Sequence, residues 1–258
     1  MKKTGGHNAI RPVKQANLPQ NKVRTVIASC SRLCEKTLRD LNINVIGPSK
    51  EVNLEEAISL HADMSFLHLG GNEYITTENQ EKIRSELADL GMKCKYLIPL
   101  INSPYPTDCK LNVSLIGKNA VFNPKTVSSE VHKYILESGF NPIYVKQGYT
   151  KCSISIINEN SIITEDEGIH KACEKAGIES LLIAKGDIEL EGHGYGFIGG
   201  SSGKVAKNKI AFTGEIERHS DAKRILDFLE AKNVEYICLE AGPLKDIGGI
   251  LPIMEEDI

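Results

Sequence analysis

The sequence contains no tryptophan, and aromatic residues make up only 5% of its 258 residues. It has no apolar run that approaches the roughly 18 residues of a membrane-spanning helix. Neither sign of charge is in large excess, because the formal net charge is -3 and basic and acidic residues are mixed along the chain. Such a balance gives no basic surface for nucleic acid or for an anionic membrane. We therefore expect neither of these as a partner.

We also expect no signal peptide at the start of the sequence, because the basic opening residues are followed by polar residues rather than by an apolar segment. We predict a flexible arm over residues 1–21 and a single domain over residues 22–258. The seven cysteines are an odd number in a chain long enough to form a core without disulfides. This composition favours a reducing, cytoplasmic compartment.

Four copies of a short phrase recur along the chain, each with an asparagine followed by residues typical of strands. The asparagines are Asn72, Asn119, Asn160 and Asn208. Another apolar run precedes each phrase across a turn, which predicts a β-hairpin. The apolar spacing then changes to that of an amphipathic helix, and a further short apolar run follows the helix. Each repeat is therefore predicted to be a strand–strand–helix–strand (ββαβ) unit.

A fifth unit is complete only if the two ends of the chain pair. Residues Lys22–Ala28 supply a strand, residues 30–41 supply a helix, and Ile43–Ile46 supply the closing strand. The missing first strand is available in the C-terminal segment that ends at Ile253. The predicted fold class is therefore α/β, with five ββαβ units in a pseudo-symmetric propeller that the N- and C-terminal segments close.

This arrangement over residues 22–253 resembles the pentein fold of the guanidino-group-modifying enzymes. Those enzymes include arginine and agmatine deiminases, dimethylarginine hydrolase and amidinotransferases, and the same fold occurs in a non-catalytic ribosome anti-association factor. The segment Tyr195–Gly203 is also similar to one in an uncharacterised bacterial family assigned to that fold. The second resemblance implies no known reaction.

Polar residues lie where the first strand of each predicted hairpin begins, and in a ring these positions converge on the axis. They are His61, Asp63, Asp108, Lys110, Asn112, Cys152, His193, Tyr195 and Asp246. Ionisable groups that meet in one concave place indicate a candidate site. We predict His193, Asp63 and Asp108 as catalytic residues and the other six as residues that bind the substrate.

The resemblance to these enzymes implies a role for His193 and argues against the reactions that they catalyse. His193 lies in a Gly-His segment similar to that of the deiminases, which implies a general acid/base, but Tyr195 stands where those enzymes have a carboxylate. Their nucleophilic cysteine aligns with Gly248–Ile253, and no cysteine follows Cys238. Because that thiolate forms the covalent intermediate, ordinary deiminase or amidinotransferase activity is not expected.

Two questions about these residues stay open in the sequence. Cys109 or Cys152 could be a displaced nucleophile, or both could be core thiols. His61 and Asp63 could hold a divalent metal together with Asp108 and His193, or the four could form a hydrogen-bonded cluster. We predict no metal and no other cofactor.

The sequence favours a small-molecule enzyme or binding protein that uses a polar axial pocket and that, if catalytic, is hydrolase-like. The alternative is a non-catalytic scaffold that binds a macromolecule through one face of the ring. We expect a small polar ligand and a monomer or homodimer, and the sequence does not identify the ligand.

Overall fold

The computed structural model describes residues 9–257 of the chain. Its strands are β1 (Ile10–Pro12), β2 (Val23–Ile27), β3 (Asn44–Ile46), β4 (Phe66–Gly70), β5 (Glu73–Thr77), β6 (Lys93–Ile98), β7 (Ser114–Ile116), β8 (Asn119–Phe122), β9 (Asn141–Tyr144), β10 (Ser155–Asn158), β11 (Ser161–Thr164), β12 (Glu179–Leu182), β13 (Ile188–Glu189), β14 (Ser202–Ala206), β15 (Lys209–Phe212), β16 (Glu235–Cys238), β17 (Leu244–Lys245) and β18 (Leu251–Glu256). Its helices are α1 (Arg32–Asp40), α2 (Ala62–Ser65), α3 (Glu81–Asp89), α4 (Ser129–Glu137), α5 (Glu167–Lys175) and α6 (Ala222–Ala231). The protein is therefore a mixed α/β protein.

The strands form small separate sheets, and one strand order recurs in them. The orders are β1-β18-β2-β3, β4-β5-β6, β7-β8-β9, β10-β11-β12 and β14-β15-β16, with β13 and β17 as a separate pair. In each three-stranded sheet the first two strands are antiparallel and the last two are parallel. A helix connects the parallel strands, because a parallel connection needs a long crossover. We call these five groups units 1 to 5 in chain order, with β18 and β2 in unit 1.

Local signals in the sequence explain where three of the connecting helices begin. Ser31, Ser128 and Asp166 each accept a hydrogen bond from the backbone N–H three residues later, which satisfies a donor that the helix leaves unpaired. The buried face of each helix carries apolar residues at helical spacing, such as Val131 and Ile135 in α4. These faces cover the sheets and form the core.

Five of the hydrophobic clusters in the core are each shared by two units. The pairs are units 1 and 2 through Ile27 and Tyr74, units 2 and 3 through Ile75 and Phe122, units 3 and 4 through Val121 and Ile162, units 4 and 5 through Ile163 and Ile210, and units 5 and 1 through Ala211 and Val26. The last unit therefore packs against the first.

The two ends of the described chain meet in unit 1. β18 pairs antiparallel with β2, with Leu251 opposite Ile27, so the prediction that the C-terminal segment completes the first unit is confirmed. β1 adds a further strand on the other side of β18, with Ile10 opposite Glu256. No helix within residues 9–257 has the length and apolar character needed to cross a bilayer.

Part of the predicted flexible arm, residues 1–8, lies outside the described residues. The rest of it differs from the prediction, because β1 is in a sheet and Val13, Ala16 and Leu18 are buried. Glu255 also accepts hydrogen bonds from the backbone N–H groups of Gln20 and Asn21 at 2.6 and 2.9 Å. The polar composition of this segment concealed its few anchoring apolar residues.

Candidate functional site

Asp246 is fixed between two glycine-rich segments, residues 196–200 and 248–249. Its Oδ2 accepts a hydrogen bond from the Phe197 N–H at 2.9 Å, and its Oδ1 accepts one from the Gly248 N–H at 3.1 Å. A Cβ at Gly200 would lie 1.9 Å from Oδ1, so only glycine leaves room for the carboxylate at that position. Asp246 immediately follows β17, which is how the fold places it there.

His61 lies beside this carboxylate. Its Nδ1 is 3.7 Å from Asp246 Oδ1, and both side chains are buried. The two residues line a cavity of about 1060 Å³ together with His193. The cavity therefore has a buried histidine and a buried carboxylate in its wall and a second histidine that is partly exposed.

Asp63 is buried close to this pair and lacks partners for its charge. The residue is 1% exposed, and neither carboxylate oxygen has a hydrogen-bond partner. Burial raises its pKa to about 6, with a further increase from Asp246, while His61 and Lys151 act in the opposite direction. Its backbone N–H donates to Gly248 O at 3.3 Å, which ties it to the Asp246 segment. Such a carboxyl group changes its protonation near neutral pH.

Asn112 connects Asp63 to the turn that carries Lys151 and Cys152. Its side-chain amide donates to the Asp63 carbonyl oxygen at 3.3 Å and to Cys152 Sγ at 3.1 Å, and its Oδ1 accepts from the Lys151 N–H at 2.7 Å. Lys151 Nζ donates to the carbonyl oxygen of Gly199 at 3.4 Å. The structure thus brings residues of four units and the C-terminal segment into one buried cluster.

The Cys152 thiol belongs to this cluster but is not set up as a nucleophile. Burial raises its pKa well above the ordinary value, and the nearby carboxylates of Asp63 and Asp246 raise it further. Burial likewise raises the pKa of Cys109, and Asp108 adds to the effect. A thiol of this kind does not ionise at neutral pH, whereas the thiolate is the reactive form.

Asp108 and Lys110 are not joined to this cluster by hydrogen bonds among the described residues. Asp108 accepts hydrogen bonds from the Tyr149 hydroxyl at 2.7 Å and from the Cys109 thiol at 3.2 Å. Lys110 is half-buried, and its Nζ donates to the Leu100 carbonyl oxygen at 3.4 Å. Asp108 therefore orients Tyr149, and Lys110 lies at a loop.

His193 lies at the rim of the cavity, and neither it nor Tyr195, two residues further along the chain, belongs to the buried cluster. The His193 side chain is 39% exposed, and its Nε2 is 3.3 Å from Glu55 Oε2. Tyr195 is 36% exposed and packs edge-on against Phe197, with ring centroids 5.9 Å apart. Glu55, whose carboxylate lies beside His193, belongs to the segment between β3 and β4, whereas His193 belongs to the segment between β13 and β14.

The candidate site residues do not lie at the starts of strands, which corrects the position predicted from the sequence. Asp63 is in the short helix α2, and His61 is the residue immediately before that helix. The turns and bends that precede the strands contain Asp108, Lys110, Cys152 and His193. His61 and Asp63 therefore do not lie on one face of a strand, as a shared metal site built on a strand would require. Among the residues that the structure describes, no group of three or more histidine, cysteine or acidic side chains is arranged to hold a metal.

Glu165 and Lys204 are among the buried ionisable residues that the sequence patterns do not indicate. Glu165 directly follows β11, and its Oε1 accepts from the Ile198 N–H at 3.1 Å while burial raises its pKa to about 8. The one feature of the sequence that could have indicated its burial is its position between a strand and the helix cap Asp166. Lys204 occupies an inward position of β14 and is 2% exposed. The glycines near it in the sequence are typical of an exposed hairpin, which is why its burial is not evident from the sequence.

Comparison with solved structures shows the same fold over nearly the whole chain. The inosamine-phosphate amidinotransferase StrB1 from Streptomyces griseus matches with a TM-score of 0.59 and 12% identity, over 96% of this chain and 98% of that one. The agmatine deiminase from C. jejuni matches with a TM-score of 0.54 and 9% identity, over 93% of each chain. The DDAH from Pseudomonas aeruginosa matches with a TM-score of 0.51 and 11% identity, over 92% and 100%.

These neighbours are guanidino-modifying enzymes of the pentein fold, so the resemblance to that fold is confirmed. No curated protein matches the sequence significantly. The sequence model of one family does match, over residues 26–251, and its description is "Family of unknown function (DUF6873)". Because that match covers most of the 258 residues, the chain belongs to the DUF6873 family.

Proposed function

We propose that this protein binds a small cationic molecule in the cavity beside His61, Asp246 and His193 and that it acts on this molecule as a hydrolase-like enzyme. The observation that carries the proposal is the charge of the cavity wall. Its acidic residues are Glu55, Glu56, Glu189, Glu191 and Asp246, and its one lysine is Lys245. The cavity volume of about 1060 Å³ suits a small ligand.

The excess of carboxylates favours a cation by two physical effects. A concave wall of one charge sign raises the local concentration of the opposite ion. Carboxylates also form charge-assisted hydrogen bonds with ammonium and guanidinium groups, and these bonds are stronger than neutral ones. Agmatine, the compound in the name of one structural neighbour, carries groups of both kinds.

The proposed chemistry uses a proton carrier at the rim and a carboxyl group in the wall. His193 is the general acid/base, since an imidazole can both donate and accept a proton and Glu55 lies close enough to orient it. Asp63 assists beneath the wall, because its pKa of about 6 allows it to accept or release a proton. Asp108 orients the Tyr149 hydroxyl, which donates a hydrogen bond to it. His61 and Asp246 bind the ligand from the cavity wall.

The proposed site also needs the five units to stand around one axis. We infer a closed ring of five units, supported by the packing of unit 5 against unit 1 and by the pairing of β18 with β2. A ring brings residues of different units to one place although they are far apart in sequence. Cytoplasmic location and a monomeric or homodimeric state remain expectations.

Thermal unfolding with added ligands tests the proposal. A ligand that binds only the folded state raises the melting temperature by mass action, so agmatine and putrescine should raise it. Citrulline and succinate, which lack the extra positive charge, should not. The double variant Glu55→Gln/Glu191→Gln should bind agmatine about 2- to 30-fold more weakly at low salt, since each exposed pair contributes ~0.2–1 kcal/mol.

The control is Glu86→Gln/Glu137→Gln, which removes two glutamates from the outer faces of α3 and α4. It should bind agmatine like the natural sequence. Equal losses in the two double variants, or no response to any cation, would contradict the proposal. In the second case the scaffold alternative becomes the leading one. If turnover of any cation is found, His193→Ala should lower its rate by about 10²–10⁴.

A further inference from the structure

A second pocket lies beside the turns of the β10–β11 and β14–β15 hairpins and has a volume of about 520 Å³. Residues 158–161, residues 207–208, the end of α6 and the N-terminal segment over residues 15–20 line it. None of its lining residues belongs to the acidic cavity. It is therefore a separate place in the molecule.

Lys204 reaches this pocket from the inside of β14. The residue is 2% exposed, and its Nζ donates one hydrogen bond, to the carbonyl oxygen of Ile157 at 2.9 Å. An ammonium group has three donors, so two remain for other acceptors. Within residues 9–257 no carboxylate forms an ion pair with it, and burial lowers its pKa to about 8. A buried cation without an anionic partner is costly, so its retention at this place needs an explanation.

The rest of the lining favours an anion as the missing partner. Lys207 and Lys232 add positive charge, while Glu159 and Glu179 are the acidic residues in the wall. Lys232 already pairs with Glu179. Side-chain amides, which can donate hydrogen bonds, come from Asn158, Asn160, Asn208 and Asn233. Three lysines against two glutamates leave the pocket with a net positive charge around a buried ammonium.

We propose that this pocket binds a small oxyanion, a carboxylate or a phosphate, with Lys204 Nζ as its main contact. The anion supplies the acceptors that the buried ammonium lacks. Lys207 at the exposed turn adds a longer-range attraction, and the asparagine amides bind the remaining oxygens. This is a second ligand of charge opposite to that of the ligand proposed for the acidic cavity.

The two sites are separated inside the molecule. Lys204 and Lys151 both line a void of about 10 Å³ between the pocket and the buried cluster. That space holds about one water molecule and no larger ligand. An anion in the pocket therefore does not reach Asp63 or Asp246, and the two proposals can fail independently.

Calorimetric titration with sodium phosphate and with sodium citrate, each against sodium chloride at equal ionic strength, tests the proposal. Equal ionic strength matters because salt screens exposed charges. Lys204→Met keeps most of the apolar stem and removes the charge, and it should weaken binding at least about tenfold, as loss of a buried charge partner does. Lys207→Met should weaken it about 2–5-fold, as an exposed charge does.

Lys118→Met is the matched control, because Lys118 is an exposed turn lysine of the β7–β8 hairpin outside the pocket. It should leave binding unchanged. Binding of phosphate without citrate, or the reverse, would support the site and identify the kind of oxyanion. No heat with either anion would overturn the proposal, and so would equal binding by Lys204→Met and the natural sequence. If Lys204→Met does not fold, equal affinities of Lys207→Met and Lys118→Met would overturn it.

Discussion

Asp63 shows at the scale of one residue how a candidate site weakens the fold that holds it. Its carboxylate is buried without a hydrogen-bond partner, and burial raises its pKa from an ordinary 3.8 to about 6. Well below pH 3.8 the group is protonated in both the folded and the unfolded state. As the pH rises from about 4 to about 6, the unfolded chain releases the proton first, so the free energy of unfolding falls.

The first prediction is that Asp63→Asn gains stability relative to the natural sequence as the pH rises. The amide cannot ionise, so it escapes a penalty that reaches about 3 kcal/mol above pH 6. Chemical denaturation at pH 4.5 and at pH 7.5 measures the difference. Asp227→Asn, on the outer face of α6, is the control and should show no such trend. Parallel stability curves for Asp63→Asn and the natural sequence would refute the argument.

The thiols lead to a second prediction, a negative one. No cysteine lies in Gly248–Ile253, and the pKa of Cys152 is raised by burial and by the carboxylates of Asp63 and Asp246. The protein should therefore release no citrulline from arginine and no carbamoylputrescine from agmatine above background. A colorimetric ureido assay at pH 7.5 checks this. Turnover that persists in Cys152→Ala and Cys109→Ala would show that the thiol argument does not apply.

At the scale of structural elements, the glycine-rich segment before β14 determines the geometry of the cavity wall. Its backbone approaches Asp246 so closely that Phe197 donates a hydrogen bond to the carboxylate and Gly200 leaves space for it. The same segment accepts a hydrogen bond from Lys151 through the Gly199 carbonyl oxygen. Its glycines therefore serve close packing of backbone against side chains rather than flexibility.

The third prediction compares two glycines of this region. Gly200→Ala would place a methyl group 1.9 Å from Asp246 Oδ1, so the carboxylate or the backbone must move. We expect a loss of about 1–3 kcal/mol in unfolding free energy, as for overpacking of a core, together with loss of cation binding. Gly194→Ala, which meets no atom within 4 Å, should change neither quantity by much. Denaturant unfolding and agmatine titration measure both effects, and equal behaviour of the two variants would contradict the structure around Asp246.

At the scale of the whole molecule, the chain ends belong to one sheet. The Asp257 N–H donates to the Ala9 carbonyl oxygen at 2.8 Å, and β18 lies between β1 and β2. Unit 1 is therefore assembled from both ends of the sequence, and it packs against both unit 2 and unit 5. If these two ends were joined and the chain were opened at an exposed loop elsewhere, we expect the protein to keep its fold and most of its stability.

The fourth prediction is that a circular permutant folds. A short glycine–serine linker would join residue 258 to residue 9, and new ends would lie between Pro99 and Leu100, which are exposed after β6 and outside the hairpins. Exposed loops tolerate such breaks because few contacts are lost. Circular dichroism and thermal unfolding should match those of the natural chain within a few degrees. A linker-joined chain that fails to fold, with the uncut natural chain as control, would count against the closed ring.

The sequence by itself determined the recurring order of elements, because hairpin and helix periodicities are local and the turn asparagines and cap residues mark their ends. It also indicated that β18 completes unit 1, because pairing the strands at the two chain ends removes the exposed sheet edge that each would otherwise leave. In the structure His61, Asp63, Asn112, Cys152 and Asp246 lie close to one another. The strands themselves begin later than expected, because short turns and α2 precede them.

Only the tertiary structure decided which of the remaining polar residues lie inside. Lys110, His193 and Tyr195 have sequence surroundings like those of the buried residues, yet they lie in a loop or at the rim. Glu165 and Lys204 look like solvated residues in sequence and are buried. Burial depends on how neighbouring units pack and on where a backbone carbonyl or N–H offers a partner, and those contacts join residues tens of positions apart. The local periodicity of the sequence does not indicate these long-range contacts.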